Sequence, residues 1–148
     1  MASTFKVNEE QLVEFLGGPS GPVWRQMMQI GNRIQNRAVE LAPVDRGKLR
    51  SSIKVEMRRE KKSPVVVVGT NVFYAIYVHN GTGVHGPKGV PIRPVNKKFL
   101  AWRIRNTSGT KARYVKRKGK TAYAFAKEVQ GVRGRPFLTN ALKQVLGL

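Results

Sequence analysis

The chain has 148 residues, with 28 Lys and Arg against 8 Asp and Glu, which gives a formal net charge of +20 at neutral pH. This length suits one domain with a hydrophobic core of its own, and a hydrophobic share of 41% argues against global disorder. The sequence has no apolar run near the roughly 20 residues of a membrane-spanning helix, no signal-peptide pattern at its N-terminus, and no cysteine, which excludes disulfides and thiolate chemistry.

The positive charge is unevenly placed along the chain. No acidic residue lies between Glu60 and Glu128, whereas Lys and Arg recur throughout that stretch. A single-sign field of this size destabilises an isolated compact monomer and favours a polyanion or an acidic neighbour as partner. Nucleic-acid phosphate is the default polyanion. A soluble basic protein with no dedicated ligand is the alternative.

Two helices are predicted in the N-terminal part. Asn8 is a candidate cap for a short helix that ends at Leu16, and the following glycines and proline break it, so that residues 1–21 form an N-terminal extension. Pro22 suits the first turn of a second helix of about five turns, which Pro43 ends. Apolar residues at spacings of three and four predict one buried stripe on this helix: Val23, Met27, Ile30, Ile34, Ala38 and Leu41.

A β-hairpin is predicted next. Residues 43–47 form a turn, and from Ile53 onward apolar residues alternate with charged ones, as in a half-buried strand. Val65–Val68 is a β-branched run, apolar on both faces and closed by Gly69, which is typical of a strand inside a sheet or under a covering helix. We expect the two strands to pair antiparallel beneath the long helix.

The C-terminal half is predicted to add two strands and a helix. Phe99–Ile104 and Tyr123–Val129 have the composition of strands, residues 84–94 that of a loop, and Phe137 begins a helix with an apolar side formed by Leu142, Val145 and Leu146. The predicted fold is therefore α+β, with a single domain over residues 1–148. In it an antiparallel sheet of about four strands packs under one long N-terminal helix, and a C-terminal helix follows.

Between the last two predicted strands lies a basic arm, residues 105–120, with turn signals that suggest an extended β-hairpin or a loop. It could line a DNA channel, dock onto an acidic face of a neighbouring protein, or remain a solvated loop. Its seven basic residues are Arg105, Lys111, Arg113, Lys116, Arg117, Lys118 and Lys120.

The remaining conspicuous residues predict structure and contacts but no chemistry. His79 and His85 have no acidic or cysteine neighbour that would complete a metal site. The glycines at 81–83 lack the Lys and Ser or Thr of a phosphate-binding loop. From these two observations together we expect no catalytic residue, metal, cofactor or small-molecule substrate. Aromatic and aliphatic residues are predicted in the core or at a subunit interface: Tyr74, Ile76, Tyr77, Val78, Trp102 and Phe137. Structural turns are predicted at Asp45, Gly47, Gly69, Gly81 and Pro136.

Four motifs resemble, in order, those of the tail-completion or neck (head–tail connector) proteins of long-tailed bacteriophages. Residues 43–53, PVDRGKLRSSI, are similar to the family's PVDTGxLRxSI, and residues 68–75, VGTNVFYA, to its VGTNVxYA. Residues 77–82, YVHNGT, resemble YVExGT, and residues 134–138, GRPFL, resemble xRPFL. His79 replaces an acidic residue of the family pattern, and the basic arm is longer and more basic than the family's.

The resemblance implies a structural virion protein in a homo-oligomeric ring at the head–tail junction or the upper end of the tail. It favours six copies over twelve, with neighbouring connector and tail-tube proteins as partners. It implies a place in the virion after synthesis in the host cytoplasm, no membrane contact and no catalytic residues. Basic residues aimed at phosphates would hold double-stranded DNA without reading its sequence. The charge alone also allows another function, that of a monomeric or dimeric nucleic-acid-binding protein of the ribosome- or nucleoid-associated type.

Overall fold

The structure is a computed structural model that describes residues 8–19, 21–61, 63–104, 114–118 and 121–148. They fall into two compact units. The first comprises the described parts of Met1–Ala75 together with Pro136–Leu148, and the second those of Ile76–Arg135. The architecture is α+β, as predicted. No helix among the described residues is long and apolar enough to cross a bilayer.

Both N-terminal helices form where the sequence predicts them. Helix α1 spans Glu9–Gly17, and the Oδ1 of Asn8 accepts hydrogen bonds from the backbone N–H groups of Glu10 (3.1 Å) and Gln11 (3.2 Å). Such a cap satisfies donors that have no partner within the helix. Helix α2 spans Pro22–Leu41 and begins with its proline, whose fixed φ suits the first turn.

A short helix that the sequence analysis did not predict connects α2 to the first strand. Helix α3 spans Lys48–Ser51 and follows Gly47, which has a φ of 77° that side chains rarely adopt. From this turn Arg50 reaches back to the end of α2, where its Nε donates to the carbonyl oxygen of Ala42 at 2.9 Å. The motif arginine therefore satisfies a backbone acceptor that the end of α2 leaves without a helical partner.

The predicted hairpin is confirmed. Strand β1 spans Ile53–Glu60 and strand β2 spans Ser63–Thr70, paired antiparallel with Ile53 opposite Thr70. Gly69 was predicted to form a turn, and this is wrong, because it lies inside β2 opposite Lys54. The backbone pairing with β1 continues through the glycine, since an extended residue needs no side chain to keep its place in the ladder.

The hairpin packs against α2 at a point of close approach. A Cβ added at Gly31 of α2 would lie 2.4 Å from the Cγ2 of Val66 and 2.7 Å from the Cγ2 of Val55. The Nε2 of Gln35 adds a hydrogen bond of 2.8 Å to the carbonyl oxygen of Ile53. A residue without a side chain thus allows α2 to approach both strands.

The C-terminal helix completes the first unit. Helix α5 spans Phe137–Leu146 and packs on α2, with Phe137 only 1% exposed and Ala141 fully buried. The predicted apolar side is partly wrong, because Leu142 is 41% exposed and Leu146 is exposed as well. Residues at intervals of four, beginning at Phe137, share the face toward α2, and Leu142 is one position, or about 100°, away from it.

The second unit has a sheet of its own. It begins in helix α4 (Ala75–Asn80) and continues through a 3₁₀ turn at Gly83–His85. Strands β3 (Leu100–Ile104), β4 (Tyr114–Lys118) and β5 (Thr121–Ala126) form an antiparallel sheet in the order β3–β5–β4. The predicted single four-stranded sheet is therefore wrong. The described strands form two sheets, since β3 pairs with β5 and β5 pairs in turn with β4 from the arm, instead of with the hairpin.

Candidate assembly surfaces

The hairpin leaves β2 with β1 as its one strand partner among the described residues. Its segment Val65–Gly69 has no charged side chain. The β1 residues paired with Val65, Val67 and Gly69, in contrast, are all charged: Arg58, Glu56 and Lys54. Natural sheets usually protect long edge strands with charges, prolines or bulges. Apart from Pro64 near its start, β2 has none of these, so its outer edge offers backbone groups to another strand.

The two faces of β2 have different surroundings. Val66 contacts α2 at Gly31, and Val68 lies opposite Val55, on the same face. Val67 points to the other side and lines an open groove of about 320 Å³ together with Gly69. The charged residues of β1 complete this groove. The valine run is therefore apolar on the face that α2 does not cover.

Ion pairing organises the charged face of β1. The guanidinium of Arg58 donates a hydrogen bond of 2.8 Å to the carboxylate of Glu56. The hydrogen bond and then the charge of Glu56 raise the pKa of Arg58 above its usual value. Both side chains are well exposed, so the pair contributes little to stability and fixes orientation instead.

Hydroxyl groups from two of the motifs meet at the open end of the hairpin. The Oγ of Ser52 lies 2.6 Å from the Oγ1 of Thr70, and the latter accepts a hydrogen bond from the backbone N–H of Val72 at 3.2 Å. These contacts link the start of β1 to the segment that leads out of β2. The motif residues thus have structural roles, which the spacing of the motifs alone did not reveal.

The predicted interface residues have varied environments. Phe137 lies in the core of the first unit, while Tyr74 is half-buried, with its ring edge-to-face with that of Phe73 at a centroid distance of 5.7 Å. Phe73, which the sequence analysis did not assign to the interface, is 82% exposed. The other four lie in the second unit. Ile76, Tyr77 and Trp102 are exposed, and Val78 is half-buried.

Two glycine-containing loops cross closely in the second unit. Gly81 has a φ of 84° and forms an isolated β-bridge with Arg133, and the backbone N–H of Thr82 donates to the carbonyl oxygen of Val132 at 2.9 Å. A Cβ on Gly83 would lie 2.1 Å from the carbonyl oxygen of Gln130. The predicted turn at Gly81 therefore belongs to a backbone crossing in which side chains have no room. Pro136, where the sequence also predicts a turn, directly precedes α5.

The basic arm is described in part. Its residues 114–118 form β4, an edge strand in which Lys116 pairs with Tyr123 of β5. Its partner β5 lies outside the arm, so the predicted extended hairpin over residues 105–120 is not confirmed. Arg105, Lys111, Arg113 and Lys120 lie outside the described residues.

An acidic groove on α1 was missed by the sequence analysis. Glu9, Glu10, Val13 and Glu14 line an open space of about 450 Å³ together with Arg59 of β1. Arg59 forms an ion pair of 3.1 Å with Glu14. The available signal was that α1 contains three of the eight acidic residues of the chain within six positions.

A family model matches residues 24–81, a stretch that contains most of α2, then α3, β1 and β2, and ends just after α4. Its description is "HK97-gp10_like: Bacteriophage HK97-gp10, putative tail-component". Residues 24–81 are an HK97-gp10-like segment. The match confirms the resemblance to proteins of bacteriophage tails, although it covers less than half of the chain.

The HK97-gp10-like segment supports a structural protein of a bacteriophage tail, and therefore a place in the virion among other virion proteins. It contains the open edge of β2, two of the four sequence motifs in full, and the third motif as far as Gly81. No curated protein and no solved structure matches the chain significantly. Among the described residues, no group of three His, Asp or Glu side chains could hold a metal ion.

Proposed function

We propose that the protein is a structural component of a tailed-phage virion that assembles into a homo-oligomeric ring at the head–tail junction or the upper end of the tail. The observation that carries the proposal is the position of the HK97-gp10-like segment, which coincides with the helix and hairpin that present the unprotected edge of β2. In this function the chain acts through shape and charge, not through catalysis. Its place of synthesis would be the cytoplasm of the host.

The edge of β2 is suited to association because a strand that is apolar on both faces is typical of the interior of a sheet. In this chain it has one strand partner among the described residues and α2 on one face. A strand from another copy that pairs along Val65–Gly69 would satisfy the outer backbone groups and cover Val67. Repetition of a contact between two different surfaces closes into a ring when the rotation allows it. By resemblance to rings at tail ends, we favour six copies over twelve.

The net charge of +20 gives such a ring a strongly basic surface. We propose that it meets double-stranded DNA in the channel through contacts with phosphates, for which the basic arm is one candidate and docking on a neighbouring connector or tail-tube protein is another. The same charge favours a second function, a monomeric or dimeric nucleic-acid-binding protein. In Ile76–Arg135 the one acidic residue is Glu128, and it pairs with Arg93 at 3.0 Å.

The two proposed functions predict different masses for the purified protein in solution. We would measure it by light scattering at low and high salt, with and without duplex DNA. A discrete ring, or a monomer that forms a ring when neck or tail partners are added, is expected for the virion protein. A monomer or dimer that coats DNA tightly and never forms a ring with any partner would refute the ring and support the second function.

The role of the β2 edge is tested by the substitution Val67→Lys. The new lysine lies opposite Glu56, which can pair with it, so the hairpin should still fold. A charge in the middle of the edge should prevent another strand from pairing there, and the ring should dissociate. Asn36→Lys, on the exposed side of α2, adds the same charge and should leave the ring intact. Equal masses for the two variants would exclude pairing through β2.

A further inference from the structure

The acidic groove on α1 is unusual for a chain of this composition. Glu14 is paired with Arg59, whereas Glu9 and Glu10 have no ion-pair partner among the described residues. Apolar side chains of α1 are exposed as well: Val13 in the groove itself at 43%, and Phe15, outside the groove lining, at 70%. A surface that combines two carboxylates with apolar side chains is suited to a segment that combines lysines with apolar side chains.

Such a segment is present in the second unit. Residues 95–99 have the sequence Val-Asn-Lys-Lys-Phe, and all five are exposed. Val95 is 95% exposed, and neither lysine forms an ion pair within the described part of the chain. The segment thus presents two positive charges between two apolar side chains, the reverse of the charge pattern on α1.

Charge also indicates what occupies the groove. Two copies of a protein with a net charge of +20 repel each other over most of their surfaces. The acidic stretch of α1 is the place where an approaching basic segment is attracted. A second copy carries such a segment and is present wherever the protein is. Contact between copies is also what the assembly of a ring requires.

We propose that residues 95–99 of one copy dock into the groove formed by α1 and Arg59 of the next copy. Lys97 and Lys98 meet Glu9 and Glu10, and Val95 or Phe99 packs against Val13. The contact joins two different surfaces, so its repetition is head-to-tail and leads to a ring instead of a closed dimer. The inference rests on the proposed ring and names one of its contacts. That contact is separate from the edge of β2.

Crosslinking between copies tests this contact directly. The chain has no cysteine, so an introduced one is unique. A Val13→Cys chain is mixed with an Asn96→Cys chain that carries an additional affinity tag, and the mixture is mildly oxidised. We expect a disulfide between the tagged and untagged chains. Val44→Cys, at an exposed position of the first unit, replaces Asn96→Cys in the control and should give no such product.

Charge reversal within residues 95–99 tests the energetics of the contact. Lys97→Glu with Lys98→Glu should raise the protein concentration needed for half-assembly roughly tenfold or more, from two exposed ion pairs turned repulsive. Lys127→Glu with Arg133→Glu makes the same change in net charge at two other exposed positions and should have little effect. Adding Glu9→Lys and Glu10→Lys to the first variant restores opposite charges across the contact and should restore assembly.

The outcomes separate this contact from the ring itself. If the wild-type protein forms no ring with any partner, the proposed function fails and the contact fails with it. If the ring forms, but the mixed disulfide is absent and the charge-reversed variants assemble like the control, the contact alone is refuted. Circular dichroism of each variant checks that α1 and the sheets remain folded. Rescue by a basic segment of a different virion protein, but not by a second copy, would also overturn the assignment.

Discussion

Replacement of Gly31 by alanine tests how closely the hairpin packs on α2. The added Cβ would lie 2.4 Å from one methyl group of Val66 and 2.7 Å from one of Val55. Carbon atoms do not approach this closely without a shift of one of them. Both valines are β-branched and belong to paired strands, so neither can rotate away easily, and the hairpin itself must move.

Two opposing effects determine the change in the free energy of unfolding. Alanine favours a helix interior over glycine by about 1 kcal/mol. Overpacking in a closely packed core costs about 1–3 kcal/mol. Because the contact involves two stiff side chains at once, we expect the upper part of that range, and therefore a net destabilisation of about 1–2 kcal/mol. At about 2–4 °C for each kcal/mol, the melting temperature should fall by about 2–8 °C.

The assay is urea unfolding of Gly31→Ala beside Asn32→Ala, which makes the neighbouring change on the exposed side of α2. The control should be slightly more stable than the wild-type protein, since it gains helix propensity and meets no obstacle. The double variant Gly31→Ala with Val66→Ala should show a favourable coupling, because the second substitution makes room for the first. If Gly31→Ala were stabilising to the same degree as Asn32→Ala, the close approach of α2 to the hairpin would be refuted.

Two further substitutions test the core of the first unit and the loop crossing of the second. Phe137→Ala should destabilise the protein by about 3–5 kcal/mol in urea unfolding, because the ring is fully buried between α5 and α2. Leu142→Ala, on the exposed side of α5, should cost far less. Equal effects of the two substitutions would show that the buried face of α5 is misassigned. Gly83→Ala places a Cβ 2.1 Å from the carbonyl oxygen of Gln130, at a φ of 64°. Gly89 has a similar φ of 62° but nothing within 4 Å of its Cβ position. Gly83→Ala should therefore lower the melting temperature more than Gly89→Ala. Similar shifts for the two glycines would mean that backbone strain, and not the crossing, determines the effect.

The sequence was sufficient for the elements whose signals are local. Asn8 caps α1 and Pro22 begins α2 because capping and the fixed φ of proline depend on a few neighbouring residues. The alternation in β1 and the valines of β2 likewise predicted a hairpin, since adjacent strands need only a short connection.

The elements that were missed depend on distant contacts or on a single backbone angle. Helix α3 follows from the left-handed conformation of Gly47. A glycine in the sequence allows this conformation but does not require it. Helix α4 has a composition rich in β-branched and aromatic residues, so its local propensity gave no helix signal. The division into two sheets could not be predicted, because the pairing of β3 and β4 with β5 is a matter of long-range competition between strands.

The candidate surfaces were hidden from the sequence for a related reason. Summed over the chain, the charge indicates a nucleic-acid partner and little about self-association. In the fold the same charges separate into an uncharged edge on β2, an acidic groove on α1 and a basic segment at residues 95–99. These are the places where two copies could meet without repulsion.

Salt should act on these surfaces in opposite directions. Screening weakens the attraction between α1 and residues 95–99, but it also weakens the general repulsion between copies, which would otherwise oppose pairing along β2. Backbone hydrogen bonds and buried valine side chains are far less sensitive to salt than exposed ion pairs. A ring held chiefly by β2 should therefore persist or strengthen as salt is raised, whereas one held chiefly through the α1 groove should dissociate. The mass of the protein at two salt concentrations thus reports both whether the copies assemble and which of the two surfaces dominates.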